Sequence, residues 1–420
     1  MRKLLHPRIL LIGTGDTKAD ELIFMSNCIR EAGGEPVMMD VSVLGDPSCQ
    51  PHHDKHAVAQ AAHTTIERIA ASGDENSAMS LMALGATRLT RALSDAGEID
   101  GMIAIGGTMG TDLALDVALA LPVGVPKFVV STIAFSHLIP PDRIAADLMM
   151  ILWAGGLYGL NGTCIAVLSQ ACGAVVGAAK SAIRPKNDRP VVAMTSLGKS
   201  CLSYMVEIKP ELEKRGYEVV VFHTTGMGGR AMELMAAQGG FVAILDLSLQ
   251  EVANQLAGSV ANSGADRLEN AGKTGIPQIV APGAVDMVDF PAWQPVPRDL
   301  VGRPFHAHNR LLASATSRPD DRRKIAQAIA GKLSRARAPV AFVLPAGGIQ
   351  QWDREGEALH DPEALSAFVN EMRSAIIKPV ELYEIHGHIN SLAFVETVLS
   401  IFDRWVEAGI VPAGNTSVAS

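Results

Sequence analysis

Apolar residues in this chain come in short runs, each followed by a turn rich in glycine or hydroxyl side chains and then by apolar positions at helical spacing. The first is RILLIGTGDTKADELIF, residues 8–24: Ile9 to Ile12 fit a strand buried on both faces, and the spacing from Leu22 fits a helix. The same pattern predicts strands over residues 8–12, 36–41, 101–105 and 127–130. Helical spacing covers residues 56–71 and 77–96, and 162–180 closes this half. The charged, proline-bearing IRPKNDRP then predicts a linker over residues 184–189, between a domain at 1–183 and a second at 190–410. Beyond it the alternation restarts, with strands over 191–195, 217–223, 241–246, 278–281, 340–344 and 380–386, and helices at 200–215 and 249–256. In DPEALSAFVNEMRSAI, Asp361 is placed as an N-cap and Pro362 as the first helical residue. The proline-rich stretch 289–304 is the main segment expected to be irregular. Strands alternating with helices give the α/β class: two Rossmann-like domains, each a parallel sheet covered by helices on both faces.

Composition narrows the partners. At 420 residues and 48% hydrophobic, the chain has enough apolar surface for more than one large core. A net charge of -8 argues against general nucleic-acid binding and for small ligands. Five cysteines form no C-x-x-C pair, which indicates neither a disulfide framework nor a zinc site and points to the reducing cytoplasm. MRKLLHPRILLIG runs into a glycine turn without a cleavage pattern, so no leader is expected. Residues 148–179 are strongly apolar, but Gly155, Gly156, Asn161, Gly162, Ser169 and Gln170 interrupt them, so buried helices are expected and no membrane partner.

The strand ends carry the candidate chemistry. In a parallel sheet every carboxyl end opens on one edge, so the turns there meet. Gly13, Thr14, Gly15, Asp16, Thr17 and Lys18 follow the first strand; Gly106, Gly107, Thr108, Met109, Gly110 and Thr111 follow the third; Ser131 and Thr132 follow the fourth. With strand order 2-1-3-4, the two glycine turns flank the switch point, where helix N-termini, hydroxyls and a lysine suit a phosphate. Lys18 is placed to neutralise phosphate and Asp16 to hold Mg²⁺ through water. The competing role for Asp16 and Thr17 is to cap the helix. Spacing excludes a P-loop, and neither turn is a clean G-x-G-x-x-G. Asp40, ending the second strand, stands where a ribose-binding acid would, which keeps an NAD(P)-dependent oxidoreductase as the alternative; its other role is a solvated strand end.

In the second half, HTTGMGGRAMEL and LPAGGIQQWD again set glycine turns after strands, with a structural turn preferred for the first. His306 with His308, and His386 with His388, have the alternation that points both rings to one face, as a metal would require, although no third ligand is fixed by spacing. Asp246, Asp286 and Asp289 fall at strand ends, as candidates for acid–base work. Ser196 to Ser200, SLGKS, is placed as a helix cap.

With GTGDTK, GGTMGTD, GMGGRAME, HGHINSLAF and PGAVDMVDF in view, nearly the whole chain resembles the ATP-binding family named for the N-terminal domain of the tomato mosaic virus resistance protein. The resemblance implies two α/β subdomains, a homodimer, and ATP held by GTGDTK and GGTMGTD with Ser131 and Thr132 beside them. It also implies a partnership with a separately encoded TIM-barrel protein. A small anionic metabolite would then lie near Asp286, His386 and His388 as the catalytic group. The chain departs from the family pattern at Ala134-Phe135-Ser136-His137, at Gly155-Gly156-Leu157-Tyr158 and at Thr316-Ser317-Arg318. The expectation is an ATP- and Mg²⁺-binding protein, whether an ATP-dependent enzyme or a nucleotide-gated binding module.

Overall fold

The computed structural model describes residues 5–183, 188–201 and 203–417. The expected linker falls largely on residues 184–187, outside the described residues. Residues 1–4, and residue 202 within the helix expected at 200–215, also lie outside them. The chain divides into two compact units, Met1–Pro185 and Lys186–Ser420.

The first unit runs β1 (Arg8–Gly13), α1 (Ala19–Glu31), β2 (Glu35–Asp40), α2 (Lys55–Ala61), α3 (Ile66–Ala70), α4 (Glu75–Asp95), β3 (Gly101–Gly106), α5 (Thr108–Ala120), β4 (Lys127–Ser131), β5 (Leu148–Leu152) and α6 (Gly162–Ser181). Its sheet is parallel with order β2-β1-β3-β4-β5. Strand alternation decides which helices cover which face. Ile9, Leu11, Ile103 and Ile105 pack with α1 and α6, while Leu10, Ile12, Met102 and Ala104 pack with α2 to α5. Each fully buried Leu or Ile contributes about 1.5–3 kcal/mol, so the two faces together fix the register of β1.

Two expectations for this unit are corrected. The helix expected over 56–71 is two helices, because His63 adopts φ 61° and Thr65 starts a new helix by accepting from the Arg68 N–H. A fifth strand, β5, lies in the apolar region expected to be helical and pairs with β4. Further along that region, α6 is long and apolar enough to cross a membrane. Its Cys164, Leu168, Ala171, Cys172, Val175, Val176 and Ala179 are buried against the sheet and α1.

The second unit runs β6 (Val191–Ser196), α7 (Ser203–Lys214), β7 (Glu218–His223), α8 (Met227–Ala237), β8 (Ala243–Ser248), α9 (Gln250–Leu256), α10 (Asn270–Thr274), β9 (Gln278–Gly283), β10 (Met287–Pro291), β11 (Phe305–Ala307), β12 (Leu312–Thr316), α11 (Pro319–Leu333), β13 (Val340–Pro345), α12 (Pro362–Ala375), β14 (Glu381–Ile385) and α13 (Leu392–Glu407). Six parallel strands lie in the order β14-β13-β9-β8-β6-β7. Helices α7 and α13 cover one face and α8 to α12 the other. The two units are both α/β sheets flanked by helices. The stretch expected to be irregular, 289–304, in fact begins inside β10 and leads to β11, and β10-β12-β11 form a small antiparallel sheet. This sheet follows the carboxyl end of β9 and so stands on the edge where ligands of α/β sheets bind.

Candidate functional site

In the first unit the two glycine turns do face one cavity, of about 1050 Å³, whose walls include Thr14, Asp16, Thr17, Lys18, Gly106, Gly107, Thr108 and Gly110. Their roles differ from the expectation of free backbone donors on both. The Gly15 N–H donates to Asp40 Oδ1 at 2.8 Å and the Asp16 N–H to Ser42 Oγ at 3.1 Å. The Thr17 and Lys18 N–H groups return to the Thr14 carbonyl at 3.3 and 2.9 Å. Helix α1 also opens on Asp20 and Glu21, which oppose an anion at its N-terminus. The first turn therefore offers side chains: the Lys18 ammonium and the Thr14 and Thr17 hydroxyls, the latter two 2.8 Å apart.

The backbone donors come from the second turn. Helix α5 starts after Gly107 with no acidic residue in its first turn and no side chain capping it. Its first N–H groups have no intrahelical acceptor and Gly107, Thr108, Met109 and Gly110 line the cavity. The rest of the wall mixes apolar Val41, Val43, Ala70, Ala78, Met79 and Leu113 with the carboxylates Asp74 and Glu75. These residues were not singled out from sequence; only their position on helices and loops beside the turns reveals them.

Several expected ligand residues sit behind the wall. Asp40 is buried, lies outside the cavity lining, and its Oδ1 accepts from Gly15 N, Ser42 N and Ser42 Oγ. It is a brace for the first turn, which corrects both its placement at a ribose and its alternative as a solvated strand end. Gly15 is needed there, since a Cβ would come within 2.7 Å of Pro47 Cβ. Thr111 and Ser131 are also buried beneath the cavity, their hydroxyls 2.7 Å apart, and Thr132 is likewise not among the lining residues. Asp16 differs from them in lining the cavity. Its Oδ2 accepts from the Gly45 N–H at 3.2 Å, while its buried Oδ1, like Asp40 Oδ2, has no hydrogen-bond partner among the described residues.

In the second unit the glycine turn before α8 is already filled. Glu251 of α9 accepts from the Gly226 and Gly229 N–H groups at 2.7 and 3.1 Å, and its other oxygen accepts from Arg267 Nε at 2.8 Å. Arg267 also pairs with Asp246 and Glu233, all four side chains being buried. Burial raises the proton affinity of Glu251 against the pull of Arg267, and it lifts Glu233 to about 7. Asp246, expected as an acid–base candidate, is thus an internal partner of Arg267.

Asp286 and His388 both meet Gln350, but His386 does not join them. Asp286 is buried; it accepts from Gln350 Nε2 at 3.1 Å and faces Arg322 Nη2 at 3.7 Å, and burial raises it to about 6. His388 contacts the Gln350 carbonyl and Asp353 Oδ1 through Nε2 at 2.9 and 3.1 Å, and accepts from the Asn390 N–H through Nδ1. Both its nitrogens are committed to holding the loop after β13. His386 is exposed and joins no part of this network. The His306 and His308 rings do share a side, 4.8 Å apart, but no group of three or more metal-ligating side chains forms among the described residues. That removes the physical basis for a protein-built metal cage at either His-x-His pair.

Residues 7–184 match the N-terminal domain, and residues 189–406 the C-terminal domain, of the uncharacterised protein family UPF0261. A UPF0261 protein of Brucella melitensis is 62% identical over 98% of both chains, and one of Clostridium tetani is 34% identical over 93% of this chain and 96% of the relative. The ToMV resistance protein Tm-1(GCR237) of Solanum lycopersicum is 29% identical over 94% of this chain, which spans 55% of that relative's length. None of these names states a ligand. What they and the two-unit architecture establish together is that the chain belongs to the UPF0261 family.

Proposed function

We propose that the first unit binds ATP with Mg²⁺ in the cavity between its two glycine turns. The observation that carries this reading is one cavity whose lining brings together Lys18, the uncapped α5 N-terminus and a set of apolar side chains. Phosphates suit the N–H donors and the ammonium, and a planar base suits the apolar side chains. The unpartnered, buried Asp16 Oδ1 fits a hydrated Mg²⁺, a cation that keeps most of its waters and takes one or two carboxylates. Lys18 would balance the phosphate charge and Thr14 and Thr17 would orient it. Asp40, the feature that favoured a nicotinamide cofactor, lies outside the cavity lining and braces the first turn through its Oδ1.

The test is a thermal-shift panel on the intact chain with ATP, ADP, AMP and NAD(P), with and without Mg²⁺. ATP is expected to stabilise most, and Lys18→Ala to weaken ATP about ten- to a hundredfold, the size of one lost charge-assisted contact of roughly 1.5–3 kcal/mol, with a smaller effect on AMP. Equal responses of wild type and Lys18→Ala to ATP would remove the site.

A further inference from the structure

We propose that the second unit carries a separate proton-transfer site, in which His308 takes a proton from a hydroxyl group or water and relays charge through Ser314 to Asp289. The site goes beyond nucleotide binding and lies on a different unit. It stands on the small sheet, whose register pairs Asp289 with Ser314 and His306 with Ser314, so these residues share one face. The other face carries Val288, Phe290, Ala313 and Ala315 and is packed as a core.

The hydrogen bonds run in one direction. Ser314 Oγ–H donates to Asp289 Oδ1. That leaves the Ser314 oxygen as acceptor for His308 Nε2, 2.8 Å away. Nε2 therefore holds the proton and Nδ1 is left as a bare lone pair, with no hydrogen bond to it among the described residues. Asp289 is further held by Gln250 Nε2 and Asn254 Nδ2 at 2.6 and 3.0 Å. Burial raises its pKa to about 6, while burial and His306 lower His308 to about 4. At neutral pH the imidazole is uncharged and the carboxylate is the better final proton acceptor.

The ligand's place follows from the rings. Trp352, from the loop after β13, stacks on His306 with centroids 4.2 Å apart and meets His308 edge-on at 5.2 Å. All three are partly exposed, so a small hydroxyl-bearing molecule can lie against them within reach of Nδ1. The step balances. The Nδ1 lone pair takes the ligand's proton, Nε2–H passes to Ser314 Oγ, and the Ser314 proton passes to Asp289, leaving a neutral acid and an activated oxyanion.

Two measurements on the full chain test this without a known substrate. First, ¹⁵N spectra of histidine-labelled protein at pH 7 are expected to show His308 as the Nε2–H tautomer. The Nδ1–H tautomer or an imidazolium would overturn the relay. Second, diethyl pyrocarbonate reacts at a bare imidazole nitrogen, and the ring must then release its other proton. Peptide mass spectrometry is expected to show His308 carbethoxylated about a hundredfold faster in wild type than in Asp289→Asn or Ser314→Ala, the low end of what a positioned base supplies. Equal rates in variants that keep the wild-type thermal midpoint would overturn it, and the tautomer measurement needs no variant at all.

Discussion

At the residue scale, two carboxylates do work that their positions in the chain conceal. Asp40 reads as a strand end open to ligand, but β1 and β2 pair Gly13 with Asp40, which swings its carboxylate under Gly15. Glu251 is similar: its partners Gly226, Gly229 and Arg267 lie on other elements, and only the fold brings them to it. A Cβ at Gly229 would meet Glu251 Oε2 at 1.7 Å, with that carboxylate fixed on both sides. Gly229→Ala is therefore expected to cost about 3 kcal/mol or more, through broken buried polar contacts and overpacking. Urea unfolding checks this; a loss under about 1 kcal/mol would mean that the carboxylate can move aside. The glycine turns themselves were legible, because a glycine cluster between a strand and a helix has few other uses. Ser314 was not, because a lone serine in a five-residue strand shows nothing of its cross-strand partner.

At the element scale, local signals were read well where a cap or a proline fixes the backbone and poorly where tertiary pairing decides. Asp361 caps α12 by accepting from the Ala364 N–H at 2.9 Å, with Pro362 at the first turn, as the sequence indicates. Asp361→Ala is expected to lose about 1 kcal/mol of stability and Asp361→Asn to keep most of it, measured by urea titration. Equal losses would show that charge, and not the cap bond, matters there. By contrast, the small antiparallel sheet was hidden, since β11 has three residues and β10 and β12 five each, too few for a period to stand out from a proline-rich stretch. The two turns of the first unit also looked alike in sequence. What separates them is charge in the following helix: α1 opens with two acids, and α5 with none.

At the scale of the whole molecule, the second unit stores ionisable groups that prefer their proton when folded. Burial raises Glu233 to about 7 and Asp286 and Asp289 to about 6, above their unfolded values. The folded state then holds protons that the unfolded chain has released, so the contribution of these three groups is full below about pH 4 and is lost as pH rises toward 7. His308, lowered to about 4, works in the opposite direction between 4 and its ordinary range, so three groups outweigh one. Glu269, lowered to about 2, acts only in stronger acid. Hydrogen exchange of β8 and β9 is expected to show greater protection at pH 5 than at pH 7.5 once the intrinsic exchange rate is corrected. Each net proton contributes at most about 1.4 kcal/mol per pH unit. Protection that grows toward pH 7.5 would reverse the sign and refute this account.

The filled glycine turn of the second unit makes the two halves unlike in one lasting respect. There the acceptor is a carboxyl group written into the polypeptide at synthesis and held against the turn by its own chain. At the α5 turn of the first unit any such acceptor has to be acquired from solution, and its occupancy follows concentration.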